Sequence, residues 1–189
     1  TQMALNAYAK TTKTSWENTA IKHLEVYQRI SKGLNQIKIS YPKIKMDHLK
    51  RMTTDFGMIQ FCKISDPDLE SGYTLDDNAR ALIAICKQYQ LNGKQVDVEY
   101  MKIYLNFIER CQLPGGNFIN YVDKNNVIEA RNSDENLEDS NGRAIWALGF
   151  FTTLTPSNDL APLIDKAIDC LKKAVKKAEK FNSPRAIAF

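Results

Sequence analysis

Glycine and proline are scarce in this sequence, at 8 and 6 of its 189 residues. That scarcity excludes a collagen-like chain, and the lack of long like-charge runs argues against a largely disordered one. Long apolar runs are also absent, because the longest, residues 144–151, is far shorter than the roughly 20 residues that span a bilayer. We therefore expect no membrane span. The length and the 43% hydrophobic content suit a globular domain with a buried core.

The four cysteines lack the spacing of a metal site or a disulfide framework. Cys62, Cys86, Cys111 and Cys170 are far apart, with no CxxC pair and no histidine at ligand spacing. Cys86 and Cys170 lie in helix-like apolar patterns, where a free thiol behaves as a small core residue. We expect no metal and a reducing compartment, which favours a cytoplasmic location. A Gly-rich phosphate loop is absent too, so we expect no nucleotide site and no cofactor.

Charge of neither sign dominates, since 26 Lys and Arg oppose 22 Asp and Glu. Part of the small excess lies in two clusters, Lys43, Lys45, Lys50 and Arg51, and Lys172, Lys173, Lys176 and Lys177. The second cluster repeats at helical spacing, which favours a solvated helix face over a nucleic-acid surface. No base-stacking motif accompanies it, and we expect no nucleic-acid partner.

Helical periodicity and capping signals dominate the sequence. A capping box at Thr14–Glu17 begins a helix predicted over 14–34, and an extended linker over 35–42 follows. Further helices are predicted over 47–54, from Thr74 to 91, from a cap at Asp97 to before Pro114, over 138–154, over 156–181 and from Ser183. The repeated order of loop, helix, helix predicts an all-α fold of antiparallel helix pairs with irregular loops.

An internal repeat is the most informative feature of the chain. Residues 76–84 superpose on residues 139–147 at an offset of 63, and a weaker third copy follows at 185–188. Each copy follows a turn-rich loop. The repeat predicts a solenoid or toroid in which every second helix is an inner one, with its polar first turn at the rim.

The repeat places an aspartate and an arginine one helical turn apart, as Asp76 with Arg80 and Asp139 with Arg143. Acid and guanidinium from successive inner helices would converge at the rim, where they could hydrogen-bond a sugar. The alternative is structural, because acidic first-turn residues commonly cap helices and Asp76 could form an intrahelical ion pair with Arg80. The recurrence of arginine favours the site, since capping needs no arginine at a fixed offset. Aromatic residues suited to stack on a sugar are Tyr73, Tyr121 and Trp146.

Four strings carry a resemblance to a known family: residues 48–53, 72–81, 138–149 and 183–186. They resemble an α-helical toroid domain of bacterial carbohydrate-active proteins, similar to the six-hairpin (α/α) glycosidases and often attached behind a two-Rossmann-domain glycosyltransferase. Residues 7–27 resemble the last helix of such a glycosyltransferase. The resemblance implies a glycosyltransferase tail and linker over 1–41 and a partial (α/α) toroid over 42–189. A partial toroid would expose an apolar inner surface, which favours self-association.

The family resemblance and the repeat together give three alternatives. In a glycoside-processing domain, Asp76 or Asp77 would be the general acid or base and Asp139 or Glu138 its partner, separated by about 5–5.5 Å or 6.5–9.5 Å. A non-catalytic domain would bind a glycan and support the upstream glycosyltransferase. A general helical-repeat interaction module would leave Asp76 and Asp139 exposed without a shared cleft. The residues expected to contact substrate are His48, Tyr73, Arg80, Asn141, Arg143, Trp146 and Arg185.

The protonation of the aspartates separates the first two alternatives. A catalytic acid should have a raised pKa, caused by desolvation or by a like charge. A carboxylate committed to arginine and backbone amides should have a lowered one.

Overall fold

The computed structural model describes residues 2, 11, 15–30 and 43–189, and the chain divides into two compact units, Thr1–Ile44 and Lys45–Phe189. In the first unit, helix α1 covers Trp16–Ile30. The Ser15 Oγ accepts a hydrogen bond from the Asn18 amide at 3.3 Å, which caps this helix. The predicted cap at Thr14 and the predicted linker over 35–42 lie outside the described residues.

The second unit is mainly α-helical, as the sequence predicted. Its helices are α2 (Asp47–Arg51), α3 (Leu75–Asn92), α4 (Gln95–Cys111), α5 (Glu138–Phe151), α6 (Ala161–Ala178) and α7 (Pro184–Ala188), with 3-10 turns at Leu69–Ser71 and Ala130–Ser133. Its described strands, β1 (Cys62–Lys63), β2 (Asp66–Pro67), β3 (Tyr73–Thr74) and β4 (Tyr121–Val122), have two residues each. Strand β1 pairs with β2 and β3 with β4, both antiparallel. Strand β3 ends at Thr74, and α3 begins at the next residue, Leu75.

Two helix starts and one helix end agree with the capping signals. The Thr74 Oγ1 accepts from the Asp77 amide at 3.2 Å, and Ser183 caps α7 through the Ala186 amide at 3.3 Å. Gly93, with φ of 62°, ends α3 in the left-handed conformation that glycine adopts without steric cost.

Asp97 is not the cap of α4, which corrects the sequence prediction. The helix begins at Gln95, so Asp97 lies inside its first turn. The Asn92 side chain accepts from the Lys94 amide at 3.0 Å, and after this turn the helix is capped at Lys94, three residues earlier than predicted. The Asp97 side chain is buried and lies 3.6 Å from the Lys50 ammonium.

Helices α5 and α6 also differ from their predicted bounds. Helix α5 ends at Phe151 because the hydroxyls of Thr152 and Thr153 bond back to the carbonyls of Gly149 and Phe150. Such bonds compete with continuation of a helix. Helix α6 begins at Ala161, later than the predicted start at 156.

The helices of the second unit form two rows. Helices α3, α5 and α7 contact one another in that order, while α4 packs on α3, α6 packs on α5, and α4 contacts α6. Every second helix therefore belongs to the first row. The core lies between the rows and includes Leu82 and Ile85 of α3, Tyr104 and Ile108 of α4, and Phe151 of α5.

In each of two first-row helices, an asparagine side chain forms hydrogen bonds to the backbone of the preceding loop. Asn78 accepts from the Met58 amide at 2.8 Å and donates to the Met58 carbonyl at 3.3 Å. Its repeat equivalent, Asn141, accepts from the Phe118 amide at 2.7 Å and donates to the Phe118 carbonyl at 2.9 Å. Each also donates to the carbonyl four residues earlier. We call this arrangement the asparagine clamp.

Several predictions concern side chains away from the pocket described below. Cys86 and Cys170 are buried free thiols as predicted, and burial raises the pKa of Cys86 to about 12. The lysines at positions 172, 173 and 176 are exposed on α6. Among the described residues, none belongs to a helix whose length and apolar character would let it cross a membrane.

Candidate functional site

An open pocket of about 310 Å³ lies at the N-terminal ends of α3, α5 and α7. It brings together six predicted site residues, namely Asp76, Asp77, Arg80, Asp139, Arg143 and Arg185. They come from the three copies of the repeat. We call this site the arginine–aspartate pocket.

Asp76 has both carboxylate oxygens in ion pairs. Its Oδ2 pairs with Arg80 Nη2 of the same helix, and its Oδ1 pairs with Arg143 Nε of α5. The intrahelical pair expected from the structural alternative is therefore present. The second pair is different in kind, because it joins the first copy of the repeat to the second.

Asp139 repeats this connection one copy further along the row. Its Oδ2 pairs with Arg185 Nε at 3.1 Å, and its Oδ1 accepts from the Ser183 hydroxyl at 2.6 Å. In both cases the aspartate of one copy pairs with the arginine of the next. The pocket wall is thus a ladder of ion pairs between successive first-row helices.

Asp77 differs from both of these aspartates. In the described part of the chain it forms no ion pair, and its Oδ2 accepts from the Thr74 hydroxyl at 2.6 Å. Burial raises the pKa of Asp77, and the charge of Asp76 raises it further, while the Thr74 hydrogen bond and the guanidinium groups of Arg80 and Arg143 oppose the rise. Among the described pocket carboxyls, Asp77 therefore has an environment that favours its protonated form relative to a free aspartate.

Tyr121 forms an aromatic part of the pocket lining. The guanidinium carbon of Arg131 lies 3.6 Å from its ring centroid, and its hydroxyl donates to Glu135 Oε2. The hydrogen bond to Glu135, with burial, raises the pKa of Tyr121. The contacts with Arg131 and Glu135 fix the orientation of the ring.

Two residues predicted for the site have structural contacts outside the pocket lining. Glu138 Oε2 accepts from the Asn182 amide at 2.9 Å and the Ser183 amide at 2.6 Å, which holds the start of α7. Asn141 forms the asparagine clamp with Phe118. Neither side chain lines the pocket, because the backbone of a neighbouring segment occupies its polar atoms.

Three further predicted residues also lie outside the pocket lining. Tyr73 is buried, with its hydroxyl 3.2 Å from Thr54 Oγ1. Trp146 stacks on Phe189 with ring centroids 5.9 Å apart. His48 is exposed on α2.

The sequence prediction missed several lining residues that belong to loops: Gln60, Phe61, Asn120 and Asn136. Gln60 and Asn120 each follow, by two positions, the residue held in an asparagine clamp, and Phe61 and Tyr121 follow by three. The loops are therefore part of the repeat. Comparing residues 58–61 with 118–121, as well as the helix starts, would have found most of this lining.

The pocket offers carboxylate, guanidinium and carboxamide groups around an aromatic ring. Such planar hydrogen-bonding groups suit a ligand rich in hydroxyls. Within residues 15–30 and 43–189, no group of three or more His, Cys, Asp or Glu side chains could hold a metal ion. No protein-family model and no curated protein matches the chain.

Proposed function

We propose that the chain is a carbohydrate-active domain that binds a glycan in the arginine–aspartate pocket. The observation that supports this proposal is the convergence of Asp76, Asp139 and their arginine partners from successive repeats beside Tyr121. A ring face of a sugar stacks on an aromatic side chain while its hydroxyls bond to planar polar groups. A general interaction module would instead leave Asp76 and Asp139 without a shared cleft, and both line one pocket.

The fold in this proposal is part of an (α/α) toroid similar to the six-hairpin glycosidases. The alternation of helices between two rows supports it, as does the position of the pocket at the N-terminal ends of first-row helices. The same proposal makes the segment before the toroid the tail of an upstream glycosyltransferase. The glycan bound in the pocket would then be the acceptor or product of that enzyme.

Binding is tested by titrating the chain with a panel of oligosaccharides in a calorimeter. We expect Tyr121→Ala to weaken binding roughly tenfold, because it removes the stacking surface. Tyr89→Ala is the matched control, since Tyr89 lies in the last turn of α3 outside this pocket. The proposal is wrong if the folded chain binds no oligosaccharide, or if both variants weaken binding equally.

Hydrolysis of the glycan is the second candidate function, and the environment of Asp77 favours it. Asp77 is free of ion pairs among the described residues, and burial raises its pKa, as expected for a general acid. Asp139 or Asp76 would supply the second carboxyl that glycoside hydrolysis needs. Without hydrolysis, the domain is the non-catalytic binding module of the second alternative.

The hydrolysis candidate is tested with the oligosaccharides that bind. Asp77→Asn should lower turnover at least about 100-fold, because it removes the proton donor, with little effect on affinity. Asp165→Asn changes an exposed aspartate of α6 and should leave turnover unchanged. Wild-type chain that binds an oligosaccharide without cleaving it would identify the domain as a binding module.

A further inference from the structure

We propose that the glycan is acidic, and that its carboxylate or sulfate groups bind Arg80 and Arg185. This inference rests on the proposed function and adds the charge of the ligand to it. Two observations support it. Arg80 and Arg185 are more exposed than their aspartate partners, and both arginines retain N–H donors that their ion pairs do not use.

Two of the three pocket arginines, Arg80 and Arg185, are more exposed than the aspartates they pair with, whereas Arg143 is more buried than Asp76. The side chains of Arg80 and Arg185 are 54% and 70% exposed, whereas their partners Asp76 and Asp139 are 24% and 36% exposed. Charge near solvent acts first on an approaching ligand, and buried charge is met later. A ligand therefore meets guanidinium groups first.

Both arginines keep donors for a ligand. Arg80 uses Nη2 in its ion pair with Asp76, and Arg185 uses Nε in its pair with Asp139. A guanidinium has five N–H donors in a planar fork. The two Nη groups of Arg185 in particular form the edge that binds a carboxylate or sulfate through two parallel hydrogen bonds.

The sharing of Asp76 gives the pocket one guanidinium group more than it has ion-paired carboxylates. One carboxylate faces two guanidinium groups, Arg80 and Arg143, while Asp139 and Arg185 balance each other. Asp77, which faces Asp76, Arg80, Arg143 and the Thr74 hydroxyl, balances the surplus when it is ionised. A bound anion would compete with that ionised form, so its affinity should fall as the pH rises and Asp77 loses its proton.

The test compares charged and neutral forms of one sugar by calorimetry on the wild-type chain. Oligogalacturonate should bind at least about tenfold more tightly than its fully methyl-esterified form, which has the same ring without the charge. A chondroitin sulfate oligosaccharide tests sulfate in place of carboxylate, and inorganic sulfate tests the anion without a sugar. Neutral gluco- and manno-oligosaccharides complete the panel.

Substitutions of the two arginines test where the anionic group of the ligand binds. Arg80→Gln and Arg185→Gln should each weaken binding of the acidic oligosaccharide roughly tenfold, and should weaken binding of the neutral ones much less, because those have no charge to pair with the guanidinium. Arg51→Gln, which changes an exposed arginine outside the pocket, is the matched control. The comparison of the acid with its ester needs no variant, so it decides the question even if a substitution unfolds the chain.

Each outcome separates this inference from the proposed function. Equal or tighter binding of neutral oligosaccharides overturns the acidic ligand and leaves the glycan pocket standing. No binding of any oligosaccharide overturns both. Inorganic sulfate that binds as tightly as the acidic oligosaccharides would show a simple anion site, which also overturns an acidic glycan as the ligand.

Discussion

Asp76, Asp77 and Asp139 lie in one pocket but differ in what their oxygens contact. Asp76 is held between two guanidinium groups, and Asp139 is held by Arg185 and the Ser183 hydroxyl. Asp77 instead accepts from the Thr74 hydroxyl, and its backbone amide donates to the same hydroxyl oxygen. The first two carboxylates therefore connect helices, whereas the third forms no ion pair among the described residues.

The pH dependence of stability should report the environment of Asp77. Its folded-state pKa is raised, chiefly by burial, so ionisation favours the unfolded chain. The contribution of Asp77 to stability is full below its unfolded pKa and is lost as the pH rises through its folded pKa. Asp77→Asn cannot ionise and keeps an oxygen for Thr74, so it should raise the melting temperature at neutral pH but not in acid.

Thermal unfolding from about pH 3 to pH 8, which spans the ionisation range of a carboxyl with a raised pKa, measures this difference. Asp165→Asn is the control, because Asp165 is exposed on α6. A gain from Asp77→Asn that stays the same at every pH would show that ionisation of Asp77 is not its cause.

At the scale of helices and loops, the sequence correctly predicted the helix ends that are set by contacts between residues close together in the chain. Thr74, Gly93 and Ser183 mark helix ends because capping needs only the next few residues. Asp97 matches the same N-cap pattern but is not a cap. Its environment depends on Lys50 of α2, a contact made only after folding, so the local pattern placed the cap of α4 three residues too late.

The candidate site was likewise predicted from the sequence only in part. The recurrence of aspartate and arginine predicted the residues that share the pocket, because repeated helices place equivalent positions in a row. The same recurrence also selected Asn141, which does not line the pocket. Its carboxamide holds the Phe118 backbone, and the path of that loop is not evident from helical periodicity. Repeated residues can thus be ligand contacts or clamps, and only the fold distinguishes the two.

At the scale of the whole second unit, successive repeats are held together by three kinds of contact. The asparagine clamp joins α3 and α5 each to the loop before it. The ion-pair ladder joins the start of each helix to the next. The third is direct backbone packing of α7 on α5 at Gly142, where a Cβ would lie 2.5 Å from the Ala186 carbonyl oxygen.

The packing of α7 on α5 can be tested with two glycines of the same helix. Gly142→Ala should destabilise the unit by about 1–3 kcal/mol, because the added methyl must displace the α7 backbone. Gly149→Ala adds the same methyl where nothing lies within 4 Å, so it should stabilise α5 by up to about 1 kcal/mol through helix propensity. Urea unfolding measures both, and hydrogen exchange of residues 184–188 should rise only in Gly142→Ala. If the two substitutions had the same effect, the close approach of α7 at Gly142 would not be needed to hold the repeats together.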